Sequence, residues 1–326
     1  MNSEGDSAAL NVGALADVTV NRAIATLRSA CHSSGTTALT IVVDPTLADP
    51  LSLSDVLKHA LESGRVSRHS LVGLHANFAP DKSPYLIHAP DELAAERCMN
   101  ESVRIAVNES LGLCGDEYRG RSVCAWVVGE SQPAALAERL VQLSRVRGPD
   151  RKLWPLRYWD PRVFWHLPRV LQPGQFSAMC RMLGRWHQLD QTNSLAALPL
   201  HAVHGERVET PLVFDDAGWA PLSRVGQVNR VLGLAWDWGV MPTTSNAARI
   251  DVLLQQCHAL GFSSEQDELA FCACGLTSRD DFYLFPIVGE ALGVAARQGL
   301  SVIEALAPFD DAFWAGLQTK NTDRIT

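Results

Sequence analysis

Nowhere in the 326 residues is there an apolar run approaching the ~20 residues needed to cross a bilayer. Runs such as Ile41-Val42-Val43 end after a few positions. The first 17 residues have neither a positive leading region nor a sustained apolar stretch, and carry Glu4 and Asp6 instead. Neither a membrane partner nor an export signal is therefore expected, and the expected compartment is the cytoplasm. An excess of basic charge is also missing. Lys and Arg number 28 against 36 Asp and Glu, a net charge of −8, which argues against a nucleic-acid partner because phosphate binding needs a basic face.

The glycine signatures of common catalytic folds are absent as well. There is no G-x-G-x-x-G, no Walker loop ending in Lys-Ser/Thr and no G-x-S-x-G elbow. No H-E-x-x-H occurs, and Cys272-x-Cys274 has no second pair to complete a structural zinc site. His201-x-x-His204 on a strand would point its rings to opposite faces. No metal and no cofactor are expected. The eight cysteines (Cys31, Cys98, Cys114, Cys124, Cys180, Cys257, Cys272 and Cys274) are scattered through apolar patterns, which fits buried free thiols in a reducing compartment.

What is present describes a folded chain of two parts. Hydrophobic residues make up 47% and charged residues 20%, ordinary for a protein with a substantial core. Residues 1–17 are small, polar and terminal, and are expected to be flexible. From residue 18 to 190 strand and helix patterns alternate: a strand ending at Asp44, a capping box at Ser52 and Asp55, strands near 70–74 and 85–88, and a helix over 91–111. A strand over 121–128 and a helix opened by Pro133 follow. That alternation predicts an α/β lobe with a mixed or mostly parallel sheet. Phe176, Met179, Cys180, Leu183 and Trp186 recur at helical spacing. Residues 191–222 look like a connecting hairpin turning at His204-Gly205-Glu206. Residues 223–326 form an all-helical lobe, with stripes Val225, Val228, Leu232 and Ala235, then Ile250, Leu253, Leu254 and Cys257. A capping box over Ser263–Gln266 precedes the next helix, and Ile287, Ala291 and Val294 form a later stripe.

The chemistry-bearing stretch is Leu156-Arg157-Tyr158-Trp159-Asp160-Pro161-Arg162-Val163-Phe164. Leu156, Tyr158 and Trp159 suit a buried strand; Asp160 suits a helix N-cap and Pro161 the first helical position. Arg157 and Arg162 cannot lose their charge and need carboxylates or carbonyls if buried. Asp44, which also ends a strand, is a candidate mate. Such a cluster can lock a strand–helix junction or contact a partner, and the residue types alone leave both open.

Arg157-Tyr158-Trp159-Asp160-Pro161-Arg162 closely resembles the Arg-aromatic-aromatic-Asp-Pro-Arg signature of the adaptor (chaperone) family of bacterial type VI secretion. Trp159 stands where the family more usually has Tyr. Leu140 to Arg151 resembles the helix and charged turn before that signature, and Leu171 to Trp186 the helix after it. Pro84-Tyr85-Leu86 resembles a family strand, and Val42-Val43-Asp44 an early strand ending in Asp; the connection from Leu74 to Asp81 departs from the pattern. The resemblance implies a non-catalytic protein that binds a type VI effector, through the effector's N-terminal region, and loads it onto the spike tip (valine-glycine repeat) protein. It singles out Asp44, Tyr85, Arg157, Tyr158, Trp159, Asp160, Pro161 and Arg162 as signature residues, with no catalytic residue. Two alternatives stay open: an immunity-type protein that binds the effector's toxin domain, and a Cys- or carboxylate-dependent hydrolase. For the hydrolase, Cys257-His258 and the pairs Asp215-Asp216 and Asp280-Asp281 are the raw material, although Cys257 lies on an apolar stripe and the paired carboxylates suit turns or caps.

Overall fold

A computed structural model describes residues 3–46, 48–73, 82–113, 121–198 and 212–319. The chain divides into two compact units, Met1–Leu222 and Ser223–Thr326. The first runs α1 (Ser3–Ser34), β1 (Leu39–Val43), α2 (Pro50–Leu53), α3 (Asp55–Glu62), β2 (Ser67–Ser70), β3 (Tyr85–Ala89), α4 (Glu92–Ser110), β4 (Val123–Val128) and α5 (Pro133–Ser144). It continues through β5 (Arg145–Arg147), β6 (Leu153–Pro155), α6 (Pro161–Phe164), α7 (Leu167–Val170), α8 (Pro173–Leu183), β7 (Trp186–Leu189), β8 (Leu195–Ala197) and β9 (Leu212–Val213) to α9 (Asp216–Ser223).

Six strands form one sheet in the order β2-β3-β1-β4-β7-β8. All five of its ladders are antiparallel, which overturns the expectation of a mostly parallel sheet. The reason is burial. Every residue of β1, β3 and β4 is buried and, Thr40 and His88 apart, these strands are near-continuous hydrophobic runs, the pattern that usually marks a parallel sheet covered on both sides. One face of the sheet gathers Leu39, Ile41, Val43, Ile87, Ala89, Trp126 and Val128 with Leu27 of α1 and Val103 and Ala106 of α4. Thr40, Val42, Leu86 and His88 alternate to the opposite face, where α5 packs across β2 and β3. The one parallel pair among the described residues, β5 with β9, lies in a separate three-stranded sheet of order β6-β5-β9.

Several local expectations move. α1 starts at Ser3, so residues 3–17 are helical where a flexible lead was expected from their small polar composition; Ala8, Ala9, Leu10, Ala14, Leu15 and Ala16 are strong helix formers. The cap before Val56 is Ser54, whose side chain accepts from Leu57 N–H, and not Ser52. Trp186 opens β7 after Gly184 ends α8, and does not extend that helix. β8 pairs with β7 and β9 with β5, so residues 191–222 do not form a connecting hairpin of these two strands. The turn at His204-Gly205-Glu206, the pair His201 and His204, and the Leu74-to-Asp81 connection lie outside the described residues. Asp91 and Pro133 cap and open α4 and α5 as their chemistry predicts.

The second unit is helical throughout its described residues. It contains α10 (Val225–Ala235), α11 (Thr244–Ala259), α12 (Glu265–Thr277), α13 (Pro286–Gln298), α14 (Val302–Leu306) and α15 (Asp311–Thr319). Val228, Ile250, Leu253, Leu254, Cys257, Phe271 and Cys272 are buried. α11 and α12 approach so closely that a Cβ on Gly275 would lie 2.5 Å from Leu253 Cδ2. The N-cap of α12 is Ser264, one residue from the expected box. On α13 the buried stripe is Val288, Leu292 and Ala295, while Ile287 is 59% exposed; the stripe expected at 287, 291 and 294 is one residue out of phase. No helix among the described residues is long and apolar enough to cross a membrane.

Candidate functional site

The polar centre of the first unit is built on Asp44, the residue after β1, which is only 2% exposed. Its backbone N–H donates to Ser122 O at 2.8 Å. One carboxylate oxygen accepts from the Thr46 N–H at 3.0 Å and from the Thr46 hydroxyl. The other accepts from Arg157 Nη2 and Trp159 Nε1, both at 2.7 Å. A buried carboxylate needs this many donors to offset its lost hydration. Four donors around two oxygens leave it positioned as an anchor.

The donors arrive from a tight connection. β6 ends at Pro155, so residues 156–159 are not the strand expected from their aromatic content; Tyr158 and Trp159 lie in a turn. Asp160 then caps α6, accepting from Arg162 N–H at 2.9 Å, and Pro161 takes the first helical position. The Arg162 side chain folds back on the same carboxylate, with Nε at 3.1 Å and Nη2 at 2.8 Å. Tyr158 and Trp159 are fully buried, with ring centroids 5.5 Å apart, and the Tyr158 hydroxyl donates to Leu140 O at 3.1 Å in α5. Burial drives the Tyr158 phenol far above its ordinary pKa. The Arg157 side chain is 35% exposed, so one end of the cluster reaches solvent.

Tyr85 lies across the sheet from Val43 but does not join Asp44. Its hydroxyl donates to Asp49, the cap of α2, and the Arg68 guanidinium sits 3.9 Å over its ring. The structure therefore brings Asp44, Arg157 and Trp159 into direct contact, holds Asp160, Pro161 and Arg162 beside them, and gives Tyr85 a separate node.

Two neighbours were not singled out from the sequence. Arg121 is 7% exposed and donates to Leu189 O at 2.6 Å, Asp190 O at 3.1 Å and Asn193 Oδ1 at 3.2 Å. Burial lowers its pKa to about 10 even though Asp160 pulls the other way. Ser122 receives the Asp44 N–H on its carbonyl and gives its own N–H (2.8 Å) and hydroxyl (2.5 Å) to Glu109 of α4. The signal available was an arginine and a serine immediately before an otherwise apolar strand.

The two buried carboxylates beside Asp44 respond oppositely to this environment. Burial raises Glu109, and the Ser122 donors only partly offset it. For Asp160, burial also pushes upward, but the hydrogen bonds and charge of Arg162, with Arg157, prevail and hold it below the usual carboxylate range. A depressed folded-state pKa means that Asp160 stabilises the fold above the unfolded value near ~3.9, and that this is lost as pH falls through the folded value. The urea midpoint of the wild-type chain is thus expected to fall more steeply than that of Asp160→Asn as pH drops from about 5. Parallel midpoints would remove Asp160 from the acid response.

Among the described residues Cys98, Cys124, Cys180, Cys257 and Cys272 are buried free thiols placed for packing, Cys31 and Cys274 are half-buried, and Cys114 lies outside the described residues. Burial pushes Cys98 and Cys180 up to about 11 and Cys257 up to about 12, and Cys272 rises further for the same reason. His258 Nε2 lies 2.7 Å from Glu268, which also accepts from Gln227 at 2.9 Å. Among the described residues, no group of three or more His, Cys, Asp or Glu is arranged to hold a metal ion.

Residues 46–178 match the model of a family described as a domain of unknown function (DUF4123). The match takes in Tyr85 and the whole run from Arg157 to Arg162, and begins two residues after Asp44. No curated protein and no solved structure matches the chain.

Proposed function

We propose that this chain is a non-catalytic adaptor that binds a type VI secretion effector, through the effector's N-terminal region, and brings it to the spike tip protein in the cytoplasm. The observation that carries the reading is the family match over residues 46–178, since that family is associated with type VI effector adaptors. The site chemistry supports it. Asp44 and Asp160 are saturated by donors, and a thiol raised to 11 or above is almost entirely protonated near neutral pH, hence a poor nucleophile. The Asp44 cluster in this reading is a rigid joint between the sheet and α6, with the exposed end of Arg157 on the surface that a partner can reach.

The test is a tagged pull-down from the native host, with mass spectrometry of what co-elutes. Recovery of one large toxin-like protein together with the spike tip protein is the expected result, and deleting the effector's N-terminal region abolishes capture. Capture through the toxin's C-terminal domain alone would make the chain an immunity-type protein. The absence of any stoichiometric partner would remove the adaptor reading.

A further inference from the structure

The small sheet presents an unusual outer face. Cross-strand register pairs Arg145 with Pro155 and Arg147 with Leu153, and Arg147 with Val213 on the other side. Neighbours in register share a face, so Pro155, Arg145, Leu153, Arg147 and Val213 lie together. The opposite face carries Val146 and Leu212, 1% and 4% exposed, together with Trp154, which is 43% exposed and packs against Trp219. Leu153 on the outer face is 47% exposed and Val213 59%, with Pro155 also exposed and Arg145 exposed while its Nη2 donates to Gly73 O. A solvated sheet face is ordinarily polar, whereas this one sets leucine, valine and proline around two arginines. Arginine among apolar groups is the composition of interface cores.

The hairpin tip beside that face is rigidly held. Arg151 adopts φ +61°, a left-handed conformation that costs a non-glycine residue energy. It is fixed by Arg151 N–H to Gly148 O at 2.9 Å, Gly148 N–H to Lys152 O at 3.1 Å, and Arg147 Nη1 to Arg151 O at 2.7 Å. Asp150 Oδ1 accepts from Lys152 N–H at 3.0 Å and Trp154 Nε1 at 3.3 Å. A Cβ on Gly148 would come within 3.1 Å of Asp150 Oδ1 and 3.2 Å of Trp154 Nε1, so any side chain there would have to shift these two groups. The result is a preorganised turn holding Arg151 and Lys152 outward, the latter side chain 76% exposed. From Arg145 to Pro155 there are four cations and one carboxylate, in a chain whose net charge is −8.

We propose that the outer face of the β6-β5-β9 sheet, with its hairpin tip, docks an acidic segment of a partner protein that also carries apolar side chains. Arg145, Arg147, Arg151 and Lys152 supply the complement to its carboxylates, and Leu153 and Val213 the apolar contacts between them. A nucleic acid fits less well. The cationic surface is short, and the Trp154 ring packs against Trp219 at 5.8 Å, so it is not a free stacking platform for bases. This inference stands apart from the adaptor reading, and its test uses no effector.

The probe is a fluorescein-labelled glutamate-rich peptide with spaced leucines, titrated with the full chain by fluorescence anisotropy. The wild type is expected to bind, and to bind more weakly as salt rises from ~0.05 to ~0.5 M. Arg151→Glu/Lys152→Glu lowers the affinity about tenfold or more, and Val213→Asp lowers it severalfold with less change in salt dependence. Lys152→Glu alone, whose ammonium lies 3.8 Å from Asp150 on an exposed turn, carries the charge test should the double variant fail to fold. No binding by the wild type, or binding indifferent to these substitutions, overturns the proposal. So does displacement of the peptide by duplex DNA or by vesicles of anionic lipid at lower concentration than by unlabelled peptide.

Discussion

Replacing Asp44 with alanine is expected to destabilise the first unit by about 3 kcal/mol, the low end of the cost of breaking a buried ion pair. The low end applies because the Arg157 side chain is 35% exposed and can recover water once its partner is gone. Trp159 Nε1 cannot, being attached to a fully buried ring, and the Thr46 donors also lose their acceptor. For a unit of this size the loss corresponds to a fall in Tm of about 6–12 °C. Arg157→Ala is expected to cost about 3 kcal/mol as well, because it leaves the 2%-exposed Asp44 carboxylate buried with neutral donors and no countercharge. Thermal and urea unfolding of both variants measure these costs. If Asp44→Ala is within a few tenths of a kcal/mol of wild type, the cluster is not what holds β1 to the turn before α6.

Trp159→Ala is expected to cost about 3–5 kcal/mol, through the cavity left by a fully buried ring and the donor removed from Asp44. Trp159→Phe separates the two contributions. It keeps an aromatic ring beside Tyr158 and loses the N–H, so its cost falls to about 1–2 kcal/mol. In the Asp44→Ala background the N–H has no acceptor, and Trp159→Phe then costs little. A double-mutant cycle of urea midpoints gives that coupling directly. Strict additivity would mean that the 2.7 Å contact contributes nothing beyond packing.

The parts of this architecture written locally in the chain are the ones the sequence makes legible. Asp160 followed by Pro161, Asp91 before α4, and Pro133 at the head of α5 act through capping geometry that needs only adjacent residues. Where two hydroxyls compete for a cap, the local signal slips: Ser54 rather than Ser52, and Ser264 rather than Ser263. Strand direction fails for a different reason. A strand buried on both faces has no alternation, so β1, β3 and β4 cannot declare in their composition that their neighbours run opposite to them. Tyr158 and Trp159 show the same limit in reverse: strand-forming side chains in a turn, kept there by contacts with α5 and Asp44. Arg121 was hidden because its partners are mostly backbone carbonyls some seventy positions later, which no spacing rule anticipates.

The strand order also has a consequence in time. β1 lies between β3 and β4, and the far edge of the sheet is β8 at residues 195–197. On a ribosome adding ~5–20 residues per second, about 80 residues and several seconds separate the emergence of β1 from that of β4. A buried, mostly apolar strand therefore waits with one edge unpaired while its second neighbour is made, and the sheet can close only through contacts distant in sequence, the slow kind. The same order that pairs both edges of β1 in the finished protein makes the nascent chain vulnerable to aggregation at its first strand.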